Sequence, residues 1–379
     1  MAVLRRLSFA AVAERSVLLA FFTSRLLICV LGYVAFHSIK HGEFQVLPSA
    51  APWNLLFRWD AFWYARIVQR GYEYVEGAQS SVAFFPLFPI LVGAFRKLTG
   101  AWSPFAGFVI SNLSLLSAAV LLRRLLAVDF APPSRVPERA VWLLLFSPMA
   151  FFFSAGYTES LFLALSLGAL LCARRGNWAG AAVAGALLTA TRGNALLILV
   201  PLLWEAVVER RREEAVGAAP RGWTGSPWWL VLVPSGLAAY SAYLHFRFGD
   251  ALAFAHAQAA FYRELVPPWT AIRFAAAEPL PAGVFSIGTA AVGAALCLLG
   301  FGLRIRFSYQ LYAAAMLLLS VCSTTLAPLP RLLSVVFPFY LVISVATRTS
   351  SLLYALTLIV STGVMAICLA LFVCGYFMT

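Results

Sequence analysis

Long apolar runs separated by short polar segments make up almost the whole chain. The runs are rich in Leu, Ala, Val and Phe, and most of them carry no charged residue. A helix needs about 20 apolar residues to cross the hydrocarbon core of a bilayer, and the runs approach or reach that length. The pattern therefore predicts about eleven membrane-spanning helices. The predicted spans are 16–37, 103–122, 140–157, 160–173, 178–191, 195–208, 227–247, 282–303, 307–327, 332–347 and 350–376.

The segment from Ala83 to Leu98 is apolar enough to cross the membrane but is a poor continuous helix. Pro86 and Pro89 lie near its start, and proline removes a helical hydrogen bond and clashes with the preceding turn. A crossing here would also place every later basic connection on the outer side. We therefore expect a re-entrant or tilted interfacial helix; if the segment does cross, the total is about 12 spans.

The connections between the runs are of two kinds. The arginine-rich kind belongs in the cytoplasm by the positive-inside bias. It comprises the amino terminus with Arg5 and Arg6, Arg123 to Arg139, Arg174 and Arg175, Glu209 to Arg221, Arg304 to Arg306, and Arg348. The connections on the opposite side are 38–81, 156–159, 191–194, 249–281 and 328–331. Residues 38–81 and 249–281 are thus predicted to be long external loops, the first of them carrying interfacial helices.

Composition supports a membrane protein and excludes other classes. The 379 residues are 62% hydrophobic and only 11% charged, whereas a soluble domain is about 25% charged and a disordered chain is poor in aromatic residues. The net charge of +13 does not indicate a nucleic-acid partner, because the arginines lie between spans. The six cysteines lie inside apolar runs without metal-type spacing. We expect an all-α polytopic membrane protein with a single domain, residues 1–379.

Charged groups at membrane depth or in the external connections are the informative residues, because charge is costly to keep there. The first cluster is Arg58-Trp59-Asp60, followed on the same expected helix by Trp63 and Tyr64. It suits an interfacial helix that holds one carboxylate at the membrane surface. An aromatic belt with incidental charges is the alternative interpretation.

Two more candidates are short polar islands between long apolar runs. Glu159, shortly after Tyr157, lies in a stretch with no other charge from residue 140 to 173. Such a carboxylate faces a water-filled cavity or pairs with a base; a helix-end carboxylate facing water is the alternative. Arg192 offers a fork of donors to a phosphate, with Asn194 beside it. A tight turn with a snorkelling arginine would explain the same pattern.

The remaining candidates lie in the later external connections. His256 and Gln258 occur in 249–281, and a histidine there can donate to a phosphate or shuttle a proton. An ordinary hydrogen-bonded histidine is the alternative. Arg331 is an isolated arginine at the start of an apolar run, which suits a second phosphate anchor or, alternatively, an interfacial cation.

Together these residues place two carboxylates, several arginines, a histidine and aromatic rings on one side of the membrane. This combination can activate a hydroxyl while it holds a phosphate leaving group. Aromatic faces suit a sugar ring, and apolar grooves between helices suit a polyprenyl chain. An enzyme that acts on a lipid phosphate is favoured. A carrier or flippase for a lipid-linked anion is the alternative.

Six blocks, taken in order, resemble the PIG-V type mannosyltransferases, relatives of GPI mannosyltransferase 2 in the GT-C superfamily. The blocks are RWDAFWY (58–64), AFFPLFP (83–89), FSPMAFFFSAGYTESLF (146–162), TRGN (191–194), GDALAFAHAQ (249–258) and PRLLSVVFPFY (330–340). Gly193 departs from the family pattern, which has a serine before the asparagine. Leu332 departs as well, since the family has tyrosine there. Both departures bear on substrate preference rather than on reaction type.

The resemblance implies a GT-C-like helix bundle and the inverting transfer of a hexose, expected to be mannose, from a polyprenyl-phosphate donor. Asp60 matches the catalytic base, and Glu159 matches a second acidic position that orients the acceptor or assists the base. The implied donor contacts are Arg58, Arg192, Asn194, His256, Gln258 and Arg331. The implied aromatic contacts with sugar or lipid are Trp59, Trp63, Tyr64 and Tyr157. No metal ion or other cofactor is expected, because two carboxylates do not form a metal cage.

The source and the acceptor are less constrained. Heavy use of Ala and Arg with almost no Lys is typical of a GC-rich bacterial genome. We therefore expect a bacterial cytoplasmic membrane, with the active site on its external face. A glycan, a glycolipid and a protein all stay open as acceptors.

Overall fold

The computed structural model describes residues 2–42, 49–216, 225–278 and 281–376, with side chains from residue 14 onward. Within these ranges the regular structure is helical, apart from one isolated β-bridge between Leu265 and Ser323. The α-helices are α1 (Ala2–Ser38), α2 (Pro52–Leu55), α3 (Asp60–Arg70), α4 (Leu87–Thr99), α5 (Ser103–Asp129), α6 (Val136–Leu145), α7 (Glu159–Arg174), α8 (Trp178–Thr189), α9 (Leu199–Val216), α10 (Ser235–Phe248), α11 (Ala253–Ala259), α12 (Pro268–Ala277), α13 (Ala282–Gly302), α14 (Phe307–Ser320), α15 (Leu329–Ser334), α16 (Pro338–Ala346) and α17 (Ser351–Val373). The all-α prediction is confirmed. Arg221 and the side chains of Arg5 and Arg6 lie outside the described residues.

In the described ranges, four helices are long and apolar enough to cross a membrane. They are Glu14–Ser38 within α1, and the whole of α5, α13 and α17. These helices coincide with the predicted spans 16–37, 103–122, 282–303 and 350–376. Their length and composition identify the chain as an integral membrane protein.

Several other predicted spans are helical but interrupted. The breaks fall at Pro148 within 140–157, at Pro234 within 227–247 and at Pro338 within 332–347. Proline lacks the backbone N–H of a helical residue and its ring clashes with the preceding turn, so a helix stops before it or starts with it. The prediction of one continuous helix over each of these three ranges is therefore wrong.

The segment with two prolines, 83–98, forms the short helix α4. At 13 residues and 1.5 Å per residue, α4 is about 20 Å long, short of the roughly 30 Å of a bilayer core. It packs against α3 and α5. Whether the segment re-enters the membrane or lies at its surface stays a prediction.

α7 lies at the centre of the bundle, packed against α5 and α8. It begins at Glu159 and ends at Arg174, which pairs with Asp129 at the end of α5. Sixteen residues of helix separate its two ends by about 24 Å. The charged groups predicted to be external and those predicted to be cytoplasmic therefore lie at opposite ends of the same central helix.

Candidate functional site

A cavity of about 990 Å³ opens where the polar islands of the sequence meet. It is bounded by the start of α3, the start of α7, the turn after α8, α11 and α15. Eight of the twelve residues predicted for the site line it: Asp60, Tyr64, Tyr157, Arg192, Asn194, His256, Gln258 and Arg331. Segments that are far apart in the sequence thus meet at one end of the bundle.

Asp60 is the first residue of α3, and its carboxylate faces the cavity. The preceding residue, Trp59, has a positive φ of 39°, an uncommon conformation for a residue with a side chain and one that concentrates at functional sites. Arg331 Nη1 donates to Asp60 Oδ2 at 2.5 Å. Burial alone would raise the pKa of Asp60, but nearby Arg331, Arg263 and Arg192 bring it below its ordinary value. Asp60 is therefore an ionised carboxylate at neutral pH.

Glu159 is the first residue of α7, and its side chain is completely buried. Its Oε1 lies 2.5 Å from Arg192 Nη2 and 3.4 Å from Arg331 Nε. Arg331 thus lies between the two carboxylates, Asp60 and Glu159. Glu159 is not among the residues that line the cavity. The expected direct action on the acceptor therefore does not fit this geometry, and Glu159 instead holds two cavity arginines in place.

Arg192 follows α8 and reaches the cavity across the start of α7. Its Nε donates to Thr158 Oγ1 at 2.6 Å, and its guanidinium lies 5.5 Å from the centre of the Phe162 ring. A hydroxyl, a carboxylate and an aromatic face therefore fix its direction. Asn194, two residues on, has a buried Oδ1 with no hydrogen-bond partner among the described residues. Asn194 lines the cavity, but this oxygen itself is closed off from it.

His256 lines the cavity from α11 and is held by Asp250. Its Nδ1 lies 2.7 Å from Asp250 Oδ2, which also accepts from the Tyr74 hydroxyl at 3.2 Å. The hydrogen bond with His256 brings the pKa of Asp250 below its ordinary value. With Nδ1 engaged, Nε2 is the ring nitrogen left for the cavity. The side-chain amide of Gln258 donates to the backbone carbonyl of Phe254, one turn earlier in α11, at 3.4 Å.

Arg263 is a cavity residue that the sequence prediction did not assign. It follows Tyr262, which has a positive φ of 57°, and its backbone N–H donates to Gln258 O at 3.0 Å. Within the described ranges no carboxylate oxygen lies within 4.0 Å of its guanidinium, although Asp60 and Arg331 act on it electrostatically. The sequence signal available for Arg263 was its place in the second external connection; the turn that directs it inward is a tertiary feature.

Arg58 does not reach the cavity, so the expected contact with the donor does not fit the geometry. Its side chain is only 1% exposed. Its guanidinium donates to the backbone carbonyls of Asn54 and Phe57 at 2.8 Å and of Val373 at 3.0 Å. Backbone carbonyls at the ends of α2 and α17 are thus the partners of this charge. Its role is to join these two helices beneath the site.

Two of the predicted aromatic contacts also lie outside the cavity. Trp59 packs against Phe372 with ring centroids 4.7 Å apart, and Trp63 stacks on Phe84 at 5.6 Å. Tyr157, in contrast, lines the cavity, and its hydroxyl donates to Arg58 O at 2.9 Å. The tryptophans therefore support the walls, whereas Tyr64 and Tyr157 present aromatic surface to the interior.

A second, mainly apolar groove of about 830 Å³ lies on the other side of α15. It runs between α13 and α17, both of which are candidate spans. Pro330 and Leu333 line the groove, while Arg331 and Leu332 line the polar cavity. The short helix α15 therefore separates the polar cavity from the apolar groove.

No group of three or more His, Cys, Asp or Glu side chains able to hold a metal ion occurs in the described part of the chain. Asp60 and Glu159 contact arginines instead, namely Arg331 and Arg192. The cations available to an anionic ligand here are therefore guanidinium groups.

Comparison with known families finds one family model that matches residues 39–207, described as Mannosyltransferase (PIG-V). The resemblance inferred from the motifs is confirmed over this part of the chain. The matched residues include four of the six blocks, those at 58–64, 83–89, 146–162 and 191–194. The blocks at 249–258 and 330–340 lie beyond it.

Curated relatives match shorter stretches of the chain. The chain is 38% identical over 104 residues to GPI mannosyltransferase 2 of Yarrowia lipolytica, covering 27% of the chain and 28% of that protein. It is 34% identical over 152 residues to GPI alpha-1,6-mannosyltransferase 2 of Cricetulus griseus, covering 38% of the chain and 30% of that protein. The chain thus spans less than a third of the length of these relatives.

Among solved structures, the chain is similar to an oligosaccharyltransferase of Archaeoglobus fulgidus. The TM-score is 0.45 at 14% identity, over 93% of this chain and 53% of the other. It is also similar to the arabinofuranosyltransferase AftD from Mycobacteria, with a TM-score of 0.42 at 13% identity, over 95% of this chain and 27% of the other.

Proposed function

We propose that this chain, whose residues 39–207 match the PIG-V mannosyltransferases, is a membrane mannosyltransferase. It transfers a mannosyl group from a polyprenyl-phosphate donor to a hydroxyl of a lipid-linked or surface glycan, with inversion at the anomeric carbon. The observation that carries the proposal is the pairing of an ionised Asp60 with Arg331 in a cavity that also contains Arg192 and Arg263. One carboxylate can accept a proton while three guanidinium groups receive a phosphate.

The reaction is a single displacement. The acceptor hydroxyl gives its proton to Asp60, and its oxygen forms a bond to the anomeric carbon of the donor. The bond between that carbon and the phosphate oxygen breaks, and the leaving phosphate gains one negative charge. Preorganised cations placed where this charge develops lower the barrier. Arg192, Arg263 and Arg331 are the groups that fit this role.

The geometry also suits an order of events at Asp60. Arg331 is paired with the Asp60 carboxylate in the structure. A donor phosphate competes for the same guanidinium and leaves the carboxylate free to accept a proton. Asp60 then acts as a base only when the leaving group is already held.

Size and surface fit a sugar phosphate. Pockets for small ligands typically measure about 300–1,000 Å³, and the cavity, at about 990 Å³, is at the upper end of that range. Tyr64, Tyr157 and Asn194 line the cavity, where a hexose would meet two aromatic rings and an amide. The apolar groove beyond α15 suits the polyprenyl chain, since its lining is mainly hydrocarbon.

The orientation follows from the charge pattern. The arginine-rich ends of α5 and α7 lie away from the cavity, so the positive-inside bias favours a cavity on the non-cytoplasmic face. A bacterial cytoplasmic membrane remains our proposal for the location, on the basis of the residue usage described above.

The test uses purified chain in detergent or liposomes with radiolabelled polyprenyl-phosphate mannose. Supplying a glycan or glycolipid acceptor should release polyprenyl phosphate and label the acceptor. Asp60→Asn should reduce the rate at least 1,000-fold and leave donor binding within about threefold, whereas the exposed control Glu214→Gln should have no effect. Normal turnover by Asp60→Asn would disprove the role of the base.

A carrier for a lipid-linked anion would use the same arginines and groove without chemistry. It predicts movement of intact donor between the leaflets of a liposome, no release of polyprenyl phosphate, and no dependence on Asp60. Release that requires Asp60 decides for the transferase.

A further inference from the structure

Arg25 carries a charge near the middle of the candidate span Glu14–Ser38. Its side chain is 7% exposed, and it does not line the cavity. The sequence analysis included it in the apolar run 16–37 and gave it no role. A charge inside a membrane helix is costly, so its presence requires a compensating structure.

The charge of Arg25 is compensated by hydrogen bonds to the segment between α6 and α7. Arg25 Nη1 donates to Ala150 O at 3.0 Å and to Ser154 Oγ at 2.8 Å, and Nη2 donates to Leu145 O at 3.2 Å. Among the described residues no carboxylate oxygen lies within 4.0 Å of it. The charge is therefore compensated by carbonyl dipoles, including one at the end of α6, where a cation is favoured.

The segment 146–158 needs such support because it is irregular. Apart from the 3₁₀-helix Ala150–Phe153 it consists of turns, and non-helical backbone at membrane depth must find its partners within the protein. α5 supplies further partners on the opposite side. Ser111 Oγ donates to Ala155 O at 2.6 Å, and Asn112 Oδ1 accepts from Ser154 Oγ at 2.8 Å. Ser154 thus links Arg25 in α1 to Asn112 in α5.

We infer that Arg25 is a positioning residue for the candidate active site. It fixes the segment 146–158, whose last residue Thr158 and whose neighbour Glu159 together hold Arg192. The guanidinium donates from two separate nitrogens, Nη1 to Ala150 and Ser154 and Nη2 to Leu145, whereas an ammonium group donates from a single nitrogen. The effect on the protein's own backbone is independent of any reaction; the effect on transfer rests on the proposed function.

The first test measures hydrogen–deuterium exchange in the purified full chain. Arg25→Gln should increase exchange of the amides in 150–158 at least tenfold. Arg139 provides a matched control, because it donates to the carbonyls of Thr347 and Arg348 at the opposite end of the bundle. Arg139→Gln should leave exchange in 150–158 unchanged. Unchanged exchange in Arg25→Gln would overturn the inference.

The second test measures transfer at saturating donor, with the thermal midpoint of each variant as a reference. Arg25→Gln should lower kcat about 100-fold, the effect of a displacement of about 1 Å in a site, while Arg139→Gln keeps kcat within twofold at a similar loss of midpoint. Arg25→Lys should recover about a tenth of the wild-type rate, since the charge stays and the fork is lost. A kcat for Arg25→Gln no lower than for Arg139→Gln refutes the positioning role.

Ser154→Ala offers a milder route if Arg25→Gln does not fold. It removes the Ser154 hydroxyl, which accepts from Arg25 and donates to Asn112. The substitution should by itself raise the hydrogen exchange of the amides in 150–158. Its effect on kcat should be smaller in an Arg25→Lys background than in the wild type, because the two residues act on one segment. Additive effects would contradict the inference. If the wild-type chain transfers no sugar, the proposed function fails, and the exchange measurements still decide whether Arg25 holds the segment.

Discussion

Replacing Glu159 by Gln tests whether the buried carboxylate organises the site. Glutamine keeps the volume of the side chain and removes its charge. Asp60 and Glu159 are the carboxylates that contact the cavity arginines Arg192 and Arg331. The substitution removes the negative charge beside both arginines and leaves the Thr158 hydroxyl as the hydrogen-bond anchor of Arg192 among the described residues.

The size of the effect follows from burial. Removing one partner of a buried ion pair costs about 3–5 kcal/mol, because the other charge stays without compensation. In the variant Arg331 still pairs with Asp60, and the side chain of Arg192 is 15% exposed to solvent. We therefore expect a loss at the low end of this range, about 3 kcal/mol in the free energy of unfolding. The rate of transfer should fall about 100-fold, since a charge-stabilising donor loses its direction.

Glu205 provides a matched control for this substitution. It is nearly as buried, at 5%, and it also lies between two arginines: Arg306 Nη2 at 2.6 Å and Arg174 Nε at 3.7 Å. This pair of arginines is at the other end of the bundle, near Asp129. Glu205→Gln should therefore cost a similar stability and leave the rate of transfer within about twofold.

The assay compares both variants by thermal unfolding in one detergent and by release of labelled polyprenyl phosphate below the unfolding temperature. A selective loss of rate in Glu159→Gln supports its role in holding the arginines. Equal loss of rate in the two variants would mean that activity follows global stability alone. Unchanged stability of Glu159→Gln would refute the buried ion pairs themselves.

Three further predictions concern individual side chains. The acid limb of the kcat/KM profile should lie below pH 3.8, because nearby arginines bring the pKa of Asp60 below its ordinary 3.8 in spite of its burial. Arg331→Gln removes one of these cations and should move the acid limb upward, and a limb that does not move would contradict the pairing. Arg192→Ala should raise the apparent KM for donor at least tenfold, and unchanged donor affinity would exclude its phosphate contact. Arg58→Lys should cost about 2 kcal/mol in stability, because hydrogen bonds to backbone carbonyls are lost. Its kcat should stay within twofold of the wild type. A selective loss of donor binding would instead show that Arg58 contacts the donor, as expected from the sequence.

Much of the site could be predicted because charge is rare in this chain. Arginine-rich connections indicate one side of the membrane, so the islands at Asp60, Glu159, Arg192, His256 and Arg331 fall on the other side. Four of these five residues line the cavity, and the fifth, Glu159, contacts two of them, Arg192 and Arg331, without lining it. The order of the sequence blocks added the expected chemistry, which the positions alone do not supply.

The direction of individual side chains was not available from the sequence. Arg58 lies two residues from Asp60 but turns inward to backbone carbonyls. Arg263 turns toward the cavity because Tyr262 adopts a positive φ. Arg25 was hidden in an apolar run, and its partners are more than 100 residues away along the chain. Each of these outcomes depends on tertiary contacts between distant segments, which a periodic pattern does not encode.

The pairing of Glu159 with Arg192 has a consequence for biosynthesis. The two residues belong to consecutive parts of the chain, at the start of α7 and just after α8. α7 and α8 can therefore enter the bilayer as one hairpin whose opposite charges neutralise each other, before Arg331 has been synthesised. Asp60, by contrast, acquires its partner Arg331 only after 271 further residues have been synthesised. The Asp60–Arg331 pair of the candidate site therefore forms after a hairpin whose charges are already neutralised.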